Sequence, residues 1–200
     1  MSNTPQHTLG SLCIGILLTD GFEQAELTEP RGALKEAGAI VRMLSDKTGQ
    51  VRGVHHDQPG DLFDVDTTFQ QARADEFDAL LLPGGEVNAS HIRNNPDAQA
   101  LVRQIDAQGK PIAVICHAPW LLISAGLVQG RKMTSAPDVK RDLEKAGAYW
   151  VDEKVVVDRN WVSSRTPEDI PAFNAAFKDI LVKHMRGTSD DISSSAAQGG

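Results

Sequence analysis

Short apolar runs alternate with amphipathic stretches along most of the 200-residue chain. The runs have the length and continuity of β-strands buried on both faces, whereas apolar residues spaced three or four positions apart indicate helices. Strands are predicted at residues 12–18, 39–44, 51–54, 62–65, 77–82, 112–115, 132–135, 151–158 and 161–164. Helices are predicted at residues 26–37, 97–108, 119–125, 139–146 and from about 167 to 184.

This alternation predicts an α/β fold with a parallel sheet that is covered by helices on both faces. No internal repeat or linker divides the chain, so residues 11–186 are predicted to form a single domain. Residues 1–10 and 187–200 are predicted to be flexible tails, the second because it is rich in Ser, Ala, Gly and Asp.

The composition is ordinary for a globular protein, with 40% apolar and 24% charged residues. The net charge of −7 argues against general nucleic-acid binding and against binding to anionic membranes. No apolar run reaches the roughly 18 residues of a membrane span, and residues 1–10 carry no secretory signal pattern. Two cysteines do not make a disulfide scaffold, and a reducing cytoplasm is the expected location.

Cys116 is the candidate nucleophile, because it ends the apolar run 112–115 and is followed by His117 and a helix. A sharp strand-to-helix turn would expose its sulfur. The nearby helix N-terminus is expected to favour the thiolate. Cys13 lies inside a predicted strand and is interpreted as a small buried hydrophobe.

Three loops follow predicted strands and are expected to meet at one rim of the sheet, where α/β proteins bind ligands. They carry the acids Glu23 and Glu26, the turn Pro83-Gly84-Gly85, and the pair Cys116-His117. The backbone N–H groups of Gly84, Gly85 and His117 could form an oxyanion hole. Glu23 or Glu26 could place a hydrogen bond or a charge beside the thiol.

His117 can act as a general base only if an acid orients it. The sequence leaves open Asp138, Glu86 or a residue of another subunit for that role. The segment His55-His56-Asp57 implies no third metal ligand, and no zinc-binding spacing occurs. Neither a metal nor a cofactor is therefore expected.

Several segments together resemble the ThiJ/PfpI family, which groups intracellular proteases, general stress proteins and a deglycase associated with parkinsonism. The resemblance covers roughly residues 12–181 and is carried by DGFEQAEL at 20–27, LLPGG at 81–85, KPIAVICHAP at 110–119 and LLISAG at 121–126. Where PfpI-type proteases carry an acid from a neighbouring subunit, this chain has Ser90-His91. It also has Ala118 where the family usually has glycine.

The resemblance implies a flavodoxin-like three-layer sandwich with a mostly parallel sheet, related to class I glutamine amidotransferases. It implies a reactive Cys116 with His117 beside it, Glu26 within reach of the sulfur and Glu23 as a second acid in the same loop. It also implies a homodimer or a higher homo-oligomer. Activities of the family include peptidase action and removal of early methylglyoxal or glyoxal adducts, and some members are stress proteins whose cysteine becomes a sulfinic acid.

The functional hypothesis is a stress-response protein that acts as a PfpI-type cysteine hydrolase on a small molecule, a peptide or a protein. The alternative is an oxidative-stress sensor in which Cys116 is oxidised to sulfinic acid with little turnover. Protease action ranks last, because neither Ser90 nor His91 is acidic.

Overall fold

The apolar runs form a central sheet in the computed structural model, which describes the backbone of residues 9–197 and the side chains of residues 9–187. The strands are β1 (Cys13–Leu17), β2 (Phe22–Glu23), β3 (Ile40–Ser45), β4 (Gln50–His55), β5 (Gln58–Asp64), β6 (Thr67–Thr68), β7 (Ala79–Leu82), β8 (Ile112–Ile115), β9 (Lys132–Met133), β10 (Tyr149–Trp150), β11 (Val155–Asp158) and β12 (Trp161–Ser164). The helices are α1 (Gln24–Glu36), α2 (Glu86–Ile92), α3 (Pro96–Ala107), α4 (Pro119–Ser124), α5 (Lys140–Lys145) and α6 (Ile170–Ala197).

The main sheet has seven strands in the order β11-β12-β8-β7-β1-β3-β6. Its neighbouring strands run parallel except for the antiparallel edge pair β11–β12. The predicted mostly parallel α/β sheet is thus confirmed. The strands predicted at residues 51–54 and 62–65 pair as the antiparallel hairpin of β4 and β5, and β2, which follows β1 along the chain, pairs with β4.

The sheet separates two apolar cores, and this explains why its central strands are continuously apolar. Along β8, Ile112 and Val114 belong to one core while Ala113 and Ile115 belong to the other. Helices α2, α3, α4 and α5 contribute to the first core, and α1 and α6 to the second. The result is the three-layer sandwich that the resemblance implied.

The ends of the domain differ from the prediction in two ways. Leu9 is fully buried, so the packed chain begins before residue 11. Helix α6 continues through Gly187 to Ala197, which corrects the predicted helix end near 184. The flexibility predicted for residues from 187 onward stays a prediction. One glycine inside a helix costs only about 1 kcal/mol, and the alanines and serines beyond it are compatible with helix. Residues 1–8 and 198–200, the rest of the predicted tails, lie outside the described residues.

A polar cluster ties the amino end of β12 to the outer helix layer. Asp106 of α3 accepts hydrogen bonds from Arg131 at 2.8 Å, Asn160 at 3.1 Å and the Trp161 indole at 2.8 Å. The Arg131 guanidinium is almost completely buried and lies 3.9 Å from the centre of the Trp161 ring. Burial lowers the pKa of Arg131, and the charge of Asp106 opposes that shift. The carboxylate therefore neutralises a buried cation.

We expect Asp106→Asn to lower the free energy of unfolding by about 2–4 kcal/mol, because the buried Arg131 loses the nearer of its two carboxylate partners and keeps only Asp158 at 3.9 Å. Chemical denaturation at neutral pH measures this change. Asp179→Asn, which alters an exposed aspartate of α6, is the matched control and should change the free energy of unfolding by less than about 0.5 kcal/mol. Equal effects of the two substitutions would contradict the structural role of Asp106.

Candidate active site

A left-handed turn at Cys116 forms the centre of the site. Its φ is +62°, a conformation that non-glycine residues rarely adopt. The cost, roughly 1–3 kcal/mol, is borne by the surrounding structure. The Cys116 N–H donates to the Ser164 carbonyl at 3.1 Å, and the Cys116 carbonyl accepts from the Ala136 N–H at 3.0 Å. The predicted strand-to-helix elbow is thus present between β8 and α4.

Asp138 supplies the acid that the sequence left open. The Cys116 sulfur lies 3.1 Å from Nδ1 of His117, and Nε2 of His117 lies 2.8 Å from Oδ2 of Asp138. If Nε2 carries the ring proton and donates it to Asp138, Nδ1 is free to accept the thiol proton. Cysteine, histidine and aspartate of one chain therefore make a continuous proton-transfer path.

Trp120 packs between the histidine and the helix that follows Asp138. The centres of the Trp120 and His117 rings are 5.2 Å apart. The indole N–H of Trp120 donates to Asp142 of α5 at 2.9 Å. Asp138 lies in the 3-10 turn Pro137–Val139 that leads into α5. Trp120 is thus partly buried beside the site and links the position of the base to that of its acid.

Glu26 is a fully buried carboxyl group beside the nucleophile. Its Oε2 accepts the Gly84 N–H at 2.6 Å, and its Oε1 is buried with no hydrogen-bond partner among the described residues. Burial raises the pKa of Glu26 to about 8, the charge of Glu23 adds to the rise, and the interactions with Gly84 and the Cys116 sulfur oppose it. At neutral pH Glu26 is therefore mainly protonated.

Burial of the Cys116 sulfur opposes the thiolate that was expected at rest. Burial raises the pKa of Cys116 well above its ordinary value, and the charge of Glu26 raises it further. The N–H groups of Gly85 and His117 favour the thiolate but do not outweigh these effects. Helix α4 has only six residues, and its positive end cannot offset the loss of water. The thiol therefore needs a base.

The turn after β7 explains why glycine is required beside the cysteine. A Cβ on Gly84 would lie 2.5 Å from Oε2 of Glu26 and 2.7 Å from Cβ of Cys116. The Gly84 N–H is taken by Glu26, so the prediction of Gly84 as an oxyanion donor is wrong. The N–H groups of Gly85 and His117 both contact the Cys116 sulfur and remain the candidate donors.

Asn88 holds this turn in place, and the sequence analysis missed it. Its Oδ1 accepts from the Thr19 backbone N–H at 2.7 Å and from the Thr19 hydroxyl at 3.0 Å. Its amide donates to the carbonyls of Pro83 and Gly84. The short polar helix α2 that carries Asn88 has no apolar period, so the sequence offered no signal for it.

The remaining predicted site residues define a cleft of about 250 Å³ over the sulfur. Glu23 accepts the His56 backbone N–H at 3.0 Å and so fixes the β4–β5 hairpin above the site. The cleft is lined by Glu23, Glu26, His56, Gly85, Glu86, Cys116, His117 and Pro167. No group of three or more metal-ligating side chains is present among the described residues.

The family assignment rests on the whole domain. A model of the DJ-1/PfpI family matches residues 13–179. The chain belongs to the DJ-1/PfpI family. The predicted ThiJ/PfpI resemblance is thereby confirmed. In this DJ-1/PfpI chain the acid that contacts His117 is Asp138 of the same chain. His91 pairs instead with Asp46. In the part of the chain that the structure describes, no helix is long and apolar enough to cross a membrane.

Relatives are found among curated proteins and solved structures. A deglycase of Pyrococcus abyssi is 45% identical over 166 residues, which cover 83% of this chain and 97% of the relative. The protein/nucleic acid deglycase 2 of Escherichia coli is 39% identical over 163 residues, 80% of this chain and 92% of the relative. The two-domain DJ-1/ThiJ/PfpI-like and ferritin-like protein of Anabaena variabilis has a TM-score of 0.80 and 32% identity over 86% of this chain and 48% of that chain. Drosophila melanogaster DJ-1beta has a TM-score of 0.76 and 27% identity, and the match covers 89% of this chain and 97% of that chain.

The buried carboxyl of this DJ-1/PfpI chain makes its stability depend on pH. Because the pKa of Glu26 rises from 4.5 to about 8 on folding, the folded state holds the extra proton between these values, and stability falls as pH rises. Glu26→Gln removes this slope. We expect the variant to gain about 2–5 kcal/mol of unfolding free energy relative to the parent between pH 5 and pH 8, measured by denaturant titration.

Glu29→Gln is the control, since Glu29 is an exposed residue of the same helix. Its stability should follow that of the parent chain at every pH. If Glu26→Gln also follows the parent, Glu26 is ionised in the folded protein and the protonated carboxyl is disproved.

Proposed function

We propose that this protein is a cysteine-dependent hydrolase of the deglycase type. The observation that carries the proposal is the continuous contact from the Cys116 sulfur through His117 to Asp138, at 3.1 Å and 2.8 Å. Its curated relatives in P. abyssi and E. coli are named deglycases, which supports the choice of reaction. The adduct class that we propose is an early carbonyl adduct of an amine.

The high pKa of the buried thiol determines how the reaction begins. Nδ1 of His117 accepts the Cys116 proton as the sulfur attacks the electrophilic carbon, and Asp138 stabilises the imidazolium that forms. Deprotonation is thus coupled to attack. The C–S bond forms as the C–N bond to the amine breaks. The electron pair goes to nitrogen, and the proton held by His117 follows it.

The surrounding donors complete the site. The Gly85 and His117 N–H groups, which favour negative charge on the sulfur, are suited to stabilise the sulfur as it gives up its proton and to donate a hydrogen bond to an oxygen of the adduct. Protonated Glu26 can donate a hydrogen bond to a hydroxyl or carbonyl oxygen of the adduct. Water then releases the carbonyl fragment and restores the thiol.

The size of the cleft favours a small adduct over a stretch of polypeptide. Its volume of about 250 Å³ is at or below the range of pockets that enclose a drug-sized ligand. A modified side chain entering end-on fits such a cleft. For this reason deglycation is preferred to peptidase action, as the sequence analysis had also ranked them.

We expect Cys116→Ser to lower kcat/KM for adduct removal by at least about 1000-fold, because it removes the nucleophile. Asp138→Asn should cost about 10- to 100-fold, since water partly replaces a carboxylate that is 59% exposed. Glu144→Gln on α5 is the control and should retain parental activity. Circular dichroism confirms folding, and parental activity in Cys116→Ser would disprove the proposal.

Glu26 supports a second function, the oxidation sensor. A protonated carboxyl with a free Oε1 beside the sulfur can donate a hydrogen bond to a sulfinate oxygen and slow further oxidation. The raised pKa of Cys116 works against this function, because the thiolate is the form that peroxide oxidises. We therefore place it second.

For this second function we expect mild peroxide to oxidise Cys116 before Cys13, as measured by peptide mass spectrometry. Sulfinate should persist below about pH 8, where Glu26 is protonated, and convert to sulfonate faster above it, where the carboxylate repels it. Glu26→Gln keeps an amide donor at every pH and should abolish this pH dependence. Equal oxidation of the two cysteines would argue against a sensor.

A further inference from the structure

The charges around the cleft are distributed unevenly, and this bears on the substrate of the proposed function. Glu23, Glu26 and Glu86 line the cleft. Glu168 follows Pro167 at its rim, near enough to interact electrostatically with Glu26 and His56. Among the described residues, none of those lining the cleft is a lysine or an arginine. A bound substrate therefore meets carboxyl groups and no permanent cation.

Most of these carboxyl groups are already engaged. Glu23 accepts the His56 backbone N–H and lies 3.5 Å from the ring nitrogen of that histidine. Glu26 is buried and accepts the Gly84 N–H. Glu168 interacts with the hydroxyl of its neighbour Thr166.

Glu86 is different, because its exposed side chain forms no hydrogen bond or ion pair with another described residue. Asp138 fills the role of orienting acid for which Glu86 was also considered, so Glu86 has no part in proton transfer. It begins α2 directly after Gly85, whose N–H contacts the sulfur. The Glu86 side chain thus lines the same cleft as Cys116 without a partner among the described residues.

The second observation concerns Glu26. Its side chain is completely buried and lines this cleft, and Oε1 has no hydrogen-bond partner among the described residues, although the carboxyl group interacts with the Cys116 sulfur. A substrate group that reaches this oxygen would satisfy it. The cleft is therefore lined by a buried carboxyl oxygen without a hydrogen-bond partner and, at its mouth, by the exposed side chain of Glu86.

We propose, on the basis of the proposed function, that the cleft selects adducts whose carrier has a positive charge next to the modified group, and that Glu86 binds that charge. A neighbouring ammonium or guanidinium group would lie against Glu86 while the adduct enters toward Cys116. Adducts on carriers with a carboxylate or phosphate next to the modified group are poor substrates. At separations of about 5 Å near a protein surface, one such charge changes a binding constant by roughly 3- to 10-fold.

A test that does not depend on the reaction uses charged thiol reagents. Trimethylammonium-ethyl and sulfonatoethyl methanethiosulfonate place a positive and a negative charge near the sulfur that they modify; the thiolate displaces methanesulfinate and forms a mixed disulfide. Mass spectrometry of the Cys116 peptide gives each rate. The rate with the cationic reagent is divided by the rate with the anionic reagent, and this ratio is divided by the same ratio measured with 2-mercaptoethanol, which corrects for the reagents' own reactivities. The corrected ratio should be about 10.

Variants assign the effect. Glu86→Gln should reduce that ratio about 3-fold or more while the rate with neutral methyl methanethiosulfonate is unchanged, and 0.5 M salt should reduce it in the parent chain. Glu36→Gln removes an equal charge from the far end of α1, where Glu36 is exposed, and should leave the ratio unchanged. A ratio equal to that of 2-mercaptoethanol, or one unaffected by Glu86→Gln, overturns the proposal.

A second measurement uses substrates. Early methylglyoxal adducts of three peptides, identical except that Nε-trimethyllysine, glutamine or glutamate flanks the modified lysine, should give kcat/KM in that descending order, with the adduct of guanosine monophosphate lowest. Cys116-dependent activity of equal size on all four overturns the charge selection alone. Absence of Cys116-dependent activity overturns the proposed function, and the thiol reagents then decide the charge selection independently.

Discussion

The left-handed turn at Cys116 is the constraint on which the site depends. With φ at +62°, the chain leaves the sheet sharply enough to place the sulfur and the ring of the next residue, His117, side by side. Two backbone hydrogen bonds, to Ser164 and from Ala136, hold this conformation. Because these partners lie in different segments, the sheet and the following loop must both be folded before the cysteine can adopt its reactive geometry. The cost in backbone strain is thus met by the long-range pairing of the domain.

The same turn places the buried carboxyl group of Glu26 directly beside Cys116. Gly84 can approach because it has no side chain, and its N–H satisfies one oxygen of the carboxyl group. Neither the thiol nor the carboxyl can easily ionise there, since each charge would be buried and would repel the other. His117, whose side chain is 17% exposed, and the more exposed Asp138 take the charge instead. The protein therefore separates the place where the bond forms from the place where the proton's charge is held.

Local patterns were enough to predict the strands, the sheet and the elbow, because a continuous apolar run that ends in Cys116 has few other structural solutions. The roles of the acids could not be predicted to the same depth. Asp138 is 21 residues from His117 and reaches it only because a 3-10 turn places it there. Asn88 lies in a helix without an apolar period. A thiolate was expected because Cys116 precedes a helix. Burial of the sulfur, which raises the pKa of Cys116, is a property of the assembled fold and could not be seen in the sequence.

Carboxyl side chains thus divide the work of the site according to their surroundings. Glu26, fully buried, holds a proton and can act as a donor. Asp138, more than half exposed, stays beside the imidazole that it stabilises. Glu86 is exposed, lines the cleft and has no hydrogen-bond or ion-pair partner among the described residues, so its charge is available to a group that enters the cleft. Exchange of any two of these environments would exchange their chemistry, which means that the acids are identified as functional by burial and partners and not by their position in a motif.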